Sequence, residues 1–540
     1  MAAGDSHTGT NVHDLTVNEH YITWKWTPLV MGSFSSRRVN SKAAVPENFY
    51  SGLWKVQTWN AIGPTVEISS YYRLIKLYRE LSTPRRPRSL LVFINPYGGK
   101  KHAETIFYST VRPIFELAGI DAKVIVTTHQ GHCQNFMLKE DLHSYDGVVA
   151  VGGDGFFAEL LHGLLYRTRA DAKLPLYRQH KPFSLEVTPQ LRIGLIPAGS
   201  TNAVIRSIHG TEDVETAAIH IALGLDVGVD VLGIHDSSTK AFLRYTVSLL
   251  GYGFHGDILE PSEQLRWLGP ARYDVAGAFK WLKLASYKCR IAYLPSSSST
   301  PFDKNTCGPL CPVCLKFDRG HGEATKAPRL ATQLRPITSS LVDIPVLGSQ
   351  SLRICSSAPS FSQNKSNMEG VPVEGNDLPL GPTEVGEGGE ESRIEEKKLT
   401  SGWRVTIGDF VAVNAFLISC RCAKSPLGPA PSAHLGDGFL DLILVRRCSR
   451  MQYLRYLVQL TNRHRKRQAQ HLRIPFVEAH RVRAFHLQAL DRYGHPVATD
   501  EAMGADTSVW CVDGEVLRNS NIICCVHRQL IRMYGRGPEM

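Results

Sequence analysis

Three times between residues 89 and 202 a continuous apolar run ends in a glycine-bearing turn, and this recurrence limits the fold more than any other feature of the chain. Ser89–Ile94 runs into Asn95-Pro96-Tyr97-Gly98-Gly99-Lys100. The segment ending at Val151 runs into Gly152-Gly153-Asp154-Gly155, and Leu191–Ile196 into Pro197-Ala198-Gly199-Ser200-Thr201-Asn202. Apolar runs of this length bounded by turn signals read as strands buried on both faces. A further strand is expected at 122–127, with helical spacing over about 103–117 and 156–165 and a polar helix between 127 and 148. Strand–helix alternation of this kind predicts a doubly wound, parallel α/β domain. Ligands of such sheets bind beyond the carboxyl ends of the strands, where these three turns would lie.

Each turn alone admits a plain structural reading. Gly98-Gly99-Lys100 lacks the G-x4-G-K-[ST] spacing of a P-loop and serves equally as a tight strand-to-helix turn. Gly199-Ser200-Thr201-Asn202 can cap the helix after it, and Gly152-Gly153-Asp154-Gly155 can be a turn that needs glycine. Together at matching strand ends they offer backbone N–H groups, hydroxyls and one acid, which suits nucleotide phosphates.

After residue 224 the texture changes. Alternating runs at 227–231, 244–249, 405–413, 440–445, 481–486 and 522–526 predict a mostly antiparallel β domain. Serine, cysteine and Gly/Glu-rich stretches occupy 296–400, and such composition cannot bury a core, so a disordered insertion is expected there. The organisation is therefore read as 1–82 (a divergent N-terminal region), 88–225 (α/β), and 226–295 with 401–533 (a β-rich sandwich-like domain) around the insertion. Tyr71–Leu81 has helical spacing, whereas the strands before it are not convincing.

The net charge of +11 suits anionic partners such as nucleotides or acidic membranes. No stretch reaches the roughly 18 apolar residues of a membrane span, and Met1–Gly9 lacks a signal-peptide pattern. A soluble or membrane-peripheral intracellular protein follows as the expectation. Arg446-Arg447-x2-Arg450 and Arg463–Arg467 fit either anionic headgroups or a solvated helix face. Nucleic acid is not the expected partner, because no aromatic-interleaved recognition motif accompanies these runs. Cys307, Cys311 and Cys314, with His321 nearby, could form a zinc clip, a redox thiol group or an acylated surface, or be loop thiols without a common role.

The order Asn95-Pro96-x-Gly98-Gly99-Lys100, Gly152-Gly153-Asp154-Gly155, Gly199-Ser200-Thr201-Asn202, then Asp513-Gly514-Glu515, resembles the diacylglycerol, sphingosine and ceramide lipid kinases. The resemblance covers most of 89–295 and 401–533. Leu249–Asp257, Arg266–Asp274, the Cys307-x3-Cys311-x2-Cys314 spacing and His434-Leu435-Gly436-Asp437-Gly438 are similar to its ceramide-kinase branch. It implies ATP- and Mg2+-dependent phosphoryl transfer to the primary hydroxyl of ceramide, at a cytoplasmic membrane surface such as the Golgi or plasma membrane. Asp154 would be the general base, with Glu515 its rival. Asn95, Pro96, Tyr97, Thr127, Thr128, His129, Gln130, Gly131, Glu159, Arg266, Arg272, Asp513, Gly514 and Glu515 would hold the nucleotide. Gly152, Gly153, Asp154, Gly155 and Asp257 would meet the lipid headgroup. The plain alternatives are salt bridging for the two arginines and a hairpin turn for Asp513-Gly514.

Two departures stand out. Phe156 occupies a position that is threonine-like in the family, and in residues 1–82 the usual pleckstrin-homology domain is truncated, replaced or too divergent to recognise. The resemblance also implies Ca2+ stimulation, although the sequence has no EF-hand loop. Two other readings stay open: a catalytically silent lipid-binding relative, against which the intact Gly98-Gly99-Lys100 argues, and a sphingosine or diacylglycerol kinase.

Overall fold

The computed structural model describes residues 86–99, 101–174, 182–184, 186–296, 311, 313, 402–422, 424–461, 470–497 and 507–537, and the backbone of four earlier strands. Those four form two antiparallel hairpins, His13–Val17 with Ile22–Lys25 and Ser36–Pro46 with Trp54–Pro64, a region whose residue pattern predicts no convincing strands. The helix expected at Tyr71–Leu81 lies outside the described residues, as does the insertion apart from Ser296, Cys311 and Val313.

The first half is a parallel sheet of β1 (Ser89–Ile94), β2 (Asp121–Val126), β3 (Gly147–Gly152) and β4 (Arg192–Pro197), in the spatial order β2-β1-β3-β4. Strand alternation sorts the side chains between two cores. Leu91, Phe93, Val148, Ala150, Ile193 and Leu195 pack on one face with helices α2 (His132–Lys139), α3 (Asp154–Asp171) and α4 (Ala203–His209). Leu90, Val92, Ile94, Val149, Val151 and Ile196 pack on the other with α5 (Val214–Ala222) and with α1, an α-helix (Ala103–Ile106 and Arg112–Ala118) interrupted by a π turn at Phe107–Val111. The doubly wound arrangement follows from these two apolar stripes.

The second half is antiparallel: β5 (Asp226–Asp236), β6 (Phe242–Thr246), β7 (Leu249–Gly253), β8 (Tyr287–Pro295), β9 (Arg404–Phe416), β10 (Leu440–Arg446), β11 (Val477–Ala489), β12 (Trp510–Val512), β13 (Glu515–Leu517) and β14 (Ile522–Tyr534). Their inward residues, among them Leu232, Tyr252, Ile291, Val413, Leu442, Phe485 and Trp510, make a third core. Two helices follow β7: α6 (Phe254–Gln264) and α7 (Arg272–Leu282). A third, α8 (Arg450–Leu460), starts at a capping box between Ser449 and Gln452.

The last strand joins the halves. β14 pairs along β5, breaks register between His527 and Ile531, and meets β4 in parallel at Met533 and Ile193. Cys524 therefore packs in the β core, while Ile531 and Tyr534 belong to the two cores of the parallel sheet. Among the described residues, β1 to β14 accordingly share one mixed sheet with a parallel α/β half and an antiparallel half.

Candidate active site

Strand order reverses between β1 and β3, so the turns after them diverge and leave a crevice. A cleft of about 910 Å³ opens there. The three glycine turns meet at its floor through backbone contact. A Cβ on Gly199 would lie 2.4 Å from Gly153 Cα, and one on Gly99, whose φ is +56°, would lie 2.2 Å from the Ala198 carbonyl oxygen. Only glycine permits this approach. Gly155 faces open space.

Asp154 is the first residue of α3 and lines the cleft. Its Oδ2 accepts the Ala203 N–H at 2.9 Å and its Oδ1 the Val204 N–H at 3.0 Å. Both donors are free groups at the start of α4, so Asp154, at the end of the neighbouring strand, caps that helix. Asn202, at the N-cap position of α4, has φ +53° and its side chain closes its own turn through Gly199. Burial pushes the Asp154 carboxyl up to about 6; the two amides oppose this, and the charges of Asp513 and Glu212 add to it.

The first nucleotide turn is held by an Asx turn, Tyr97 N–H to Asn95 Oδ1 at 3.0 Å. Asn95 and the exposed Tyr97 line the cleft, and Pro96 sits between them in the chain. After β2, Thr127 Oγ1 donates to the Ile94 carbonyl at 3.1 Å, and Thr128 N–H donates to His132 Nδ1 at 3.1 Å. Thr127, His129, Gln130 and Gly131 line the cleft. Glu159 also lines it, but its Oε1 accepts the Cys133 N–H at 2.9 Å, which caps α2. Gly152 ends β3 beneath Phe156, whose ring lines the wall.

The β half closes the other side. Asp513 (φ +50°) and Gly514 (φ +86°) form the two-residue turn between β12 and β13, as a type I′ hairpin requires. The plain reading of Asp-Gly as a turn is therefore correct, and the turn also faces the cleft. Asp513 Oδ1 accepts from Thr246 Oγ1 at 2.6 Å and from Ser248 Oγ. Burial raises its pKa against those hydrogen bonds. Arg272 lines the cleft and stacks on Tyr273, its guanidinium carbon 4.7 Å from the ring centroid.

Arg244 went unnoticed in the sequence. Its Nη2 lies 2.5 Å from Glu515 Oε2, and both line the cleft. The signal was there: Arg244, Thr246 and Ser248 are the polar positions of a period-two run whose apolar positions are Tyr245, Val247 and Leu249. That polar face receives the Asp513–Glu515 turn. The neighbouring Tyr245 N–H donates to His162 Nε2 at 3.0 Å, tying this segment to α3. Burial holds His162 down near 4, so it is neutral.

One expected contact is arranged otherwise. Asp257 is not among the cleft-lining residues; its oxygens accept from Tyr287 Oη at 2.7 Å and Ser508 Oγ at 2.5 Å. The Arg266 side chain lies outside what is described. So do Cys307, Cys314 and His321. The described Cys311 meets His434 instead, Sγ to Nε2 at 3.1 Å. His434 Nδ1 accepts the Gly436 N–H at 3.0 Å, so Nε2 carries the proton and this contact is a hydrogen bond to sulfur. Among the described residues no group of three or more His, Cys, Asp and Glu could hold a metal ion.

Residues 89–234 match the diacylglycerol kinase catalytic domain family, and residues 374–539 match the ceramide kinase C-terminal domain family. The chain is 37% identical to a human ceramide kinase over 84% of this chain and 74% of that protein. It is 29% identical to a ceramide kinase of Arabidopsis thaliana over 86% and 75%, and 26% identical to a human ceramide kinase-like protein over 84% and 70%. A glycine-floored cleft with an acid at its base, closed by an Asp-Gly-Glu hairpin and matched along the chain to such relatives, identifies this protein as a member of the ceramide kinase family.

Proposed function

We propose that the protein transfers the γ-phosphoryl group of ATP to the primary hydroxyl of ceramide. The observation that carries this reading is Asp154, an acid raised to about 6 and held at the cleft floor by two backbone amides. The hydroxyl oxygen attacks phosphorus, the bond to the β-phosphate oxygen breaks with its electrons leaving on ADP, and Asp154 takes the hydroxyl proton. The glycine turns after β1, β3 and β4 cradle the phosphates with backbone N–H groups. Gly153 and Gly155 let the headgroup approach the acid, and Arg266 and Arg272 neutralise phosphate charge.

The donor set fits Mg2+, which favours oxygen ligands and binds through one or two carboxylates together with substrate phosphates. Asp513, whose charge acts on Asp154, would hold it together with the nucleotide phosphates, leaving Asp154 to take the proton. When bound it would withdraw charge from the phosphate oxygens. The lipid substrate calls for a peripheral position at a membrane surface, and among the described residues no helix is long and apolar enough to cross one.

The test is transfer from labelled ATP with Mg2+ to ceramide, sphingosine or diacylglycerol in detergent micelles. Labelling of ceramide alone is the expected outcome. Labelling of sphingosine but not ceramide would overturn the substrate, and no labelling would favour a silent lipid-binding protein.

A further inference from the structure

Four carboxylates line the cleft, from Asp154, Glu159, Asp513 and Glu515, and a nucleotide triphosphate brings more negative charge into it. Arg272 sits at the rim on Tyr273, its Nη2 donating to the tyrosine hydroxyl at 2.7 Å. Arg244 is placed differently. Its side chain is 20% exposed, and the two residues after it are both tied down: Tyr245 N–H to His162 on α3, and Thr246 Oγ1 to Asp513. Arg244 therefore stands at the seam between the helix that begins with Asp154 and the hairpin that closes the cleft. A guanidinium carries five N–H donors, and Glu515 engages it at one nitrogen.

We propose that Arg244 is a further residue of the phosphoryl-transfer machinery, donating to the oxygens of the transferring group, and that Glu515 is its positioning residue and not the general base. This rests on the kinase reading above. Arg244 keeps its protons throughout; the hydroxyl proton goes to Asp154 and the leaving electron pair to ADP. Its guanidinium is worth most where charge spreads over the equatorial phosphate oxygens, as with arginines that stabilise such transition states elsewhere. Glu515, 2.5 Å from the guanidinium, is the partner that fixes the fork.

The rival role for Arg244 is a lock on the hairpin. Four variants of the full chain, assayed with ATP, Mg2+ and ceramide micelles, separate the two. Arg244→Ala should lower kcat by about 100-fold with the KM for ceramide nearly unchanged. Free guanidinium at millimolar concentration should restore part of that turnover, and should do nothing for Gly199→Ala, whose defect is backbone overlap. Arg244→Lys should stay impaired, because an ammonium cannot reproduce the planar fork. Glu515→Gln should lower kcat by about tenfold while the acid limb of the pH profile stays in place.

Arg244→Ala within a few-fold of wild type would overturn the proposal. So would a variant with a lowered melting temperature and no guanidinium rescue. Loss of the acid limb in Glu515→Gln would make Glu515 the base. Wild-type protein inactive on every lipid would instead defeat the kinase reading, and the proposal with it.

Discussion

The two halves of the molecule build their sides of the cleft from different materials. The α/β half contributes mainly backbone: three turns whose glycines touch, and amides at the start of α4 that hold Asp154. The β half contributes side chains: Arg244, Arg272, Asp513 and Glu515, carried on strands and a helix that meet only after long-range pairing. A backbone site tolerates almost no added atom, whereas a side-chain site tolerates shape-preserving changes and is sensitive to charge. That contrast orders the expected effects of substitution.

The largest effect is expected where both kinds of contact converge. Asp154→Asn removes the proton acceptor, which costs about 10²–10⁴-fold in turnover. An amide also offers only one acceptor oxygen to the Ala203 and Val204 N–H groups, so stability should drop by about 1–3 kcal/mol. Single-turnover transfer, ATP titration and a thermal melt together check this. Near-normal turnover would remove Asp154 from the base role and leave it as the cap of α4. Gly199→Ala comes next. Its Cβ would overlap Gly153 Cα, so the turns must part, and misplacement by about 1 Å costs on the order of 100-fold. A measured ATP affinity equal to wild type would contradict the backbone account.

Asp513→Asn tests the other half. Asparagine tolerates the positive φ of this turn nearly as well as aspartate, so the hairpin stays and only the charge goes. About a tenfold fall in kcat/KM is expected, with the melting temperature little changed. A collapse as large as that of Gly199→Ala would mean the hairpin acts through its shape, and the contrast between the halves would fail.

The same contrast explains what could be read in advance. Ser89–Ile94, Gly147–Gly152 and Arg192–Pro197 announce themselves because a doubly buried strand is a local apolar run, and their turns because glycine is a local necessity. Asp154 was legible for that reason. Its capping of α4 was not, because its donors lie about fifty residues away in the chain and backbone amides leave no mark on sequence. Arg244 and Glu515 are separated by far more, and their pairing depends on β12 finding β7. Asp257 illustrates the converse: a carboxylate placed by resemblance near the headgroup, which the fold ties to Tyr287 and Ser508. Helices α6 and α7 are hidden because alternating strands dominate the pattern around them.

The smallest expected effect is a displacement along the pH axis. Burial raises Asp154 to about 6, and the nearby charge of Asp513 contributes in the same direction. A general base works ionised, so kcat/KM should fall about tenfold per unit as pH drops below that value. An ordinary aspartate would place this limb near 4. Unfolding must be separated from it. For Asp154, and for Asp230 and Asp441, both raised to about 7 by burial, stability is greatest below the unfolded value and declines as pH rises through the folded one. These carboxyls therefore do not unfold the protein in acid. The buried, neutral His162 and His209, held near 4, act oppositely, and their contribution is lost as pH falls from about 6.5 towards 4. Thermal melts across the same pH range identify any loss of that origin. In Asp513→Asn the neighbouring charge is gone, so the acid limb should move down by a fraction of a unit. A limb that stays fixed in that variant, or that sits near 4 in the wild type, would break the electrostatic link between the two halves of the cleft.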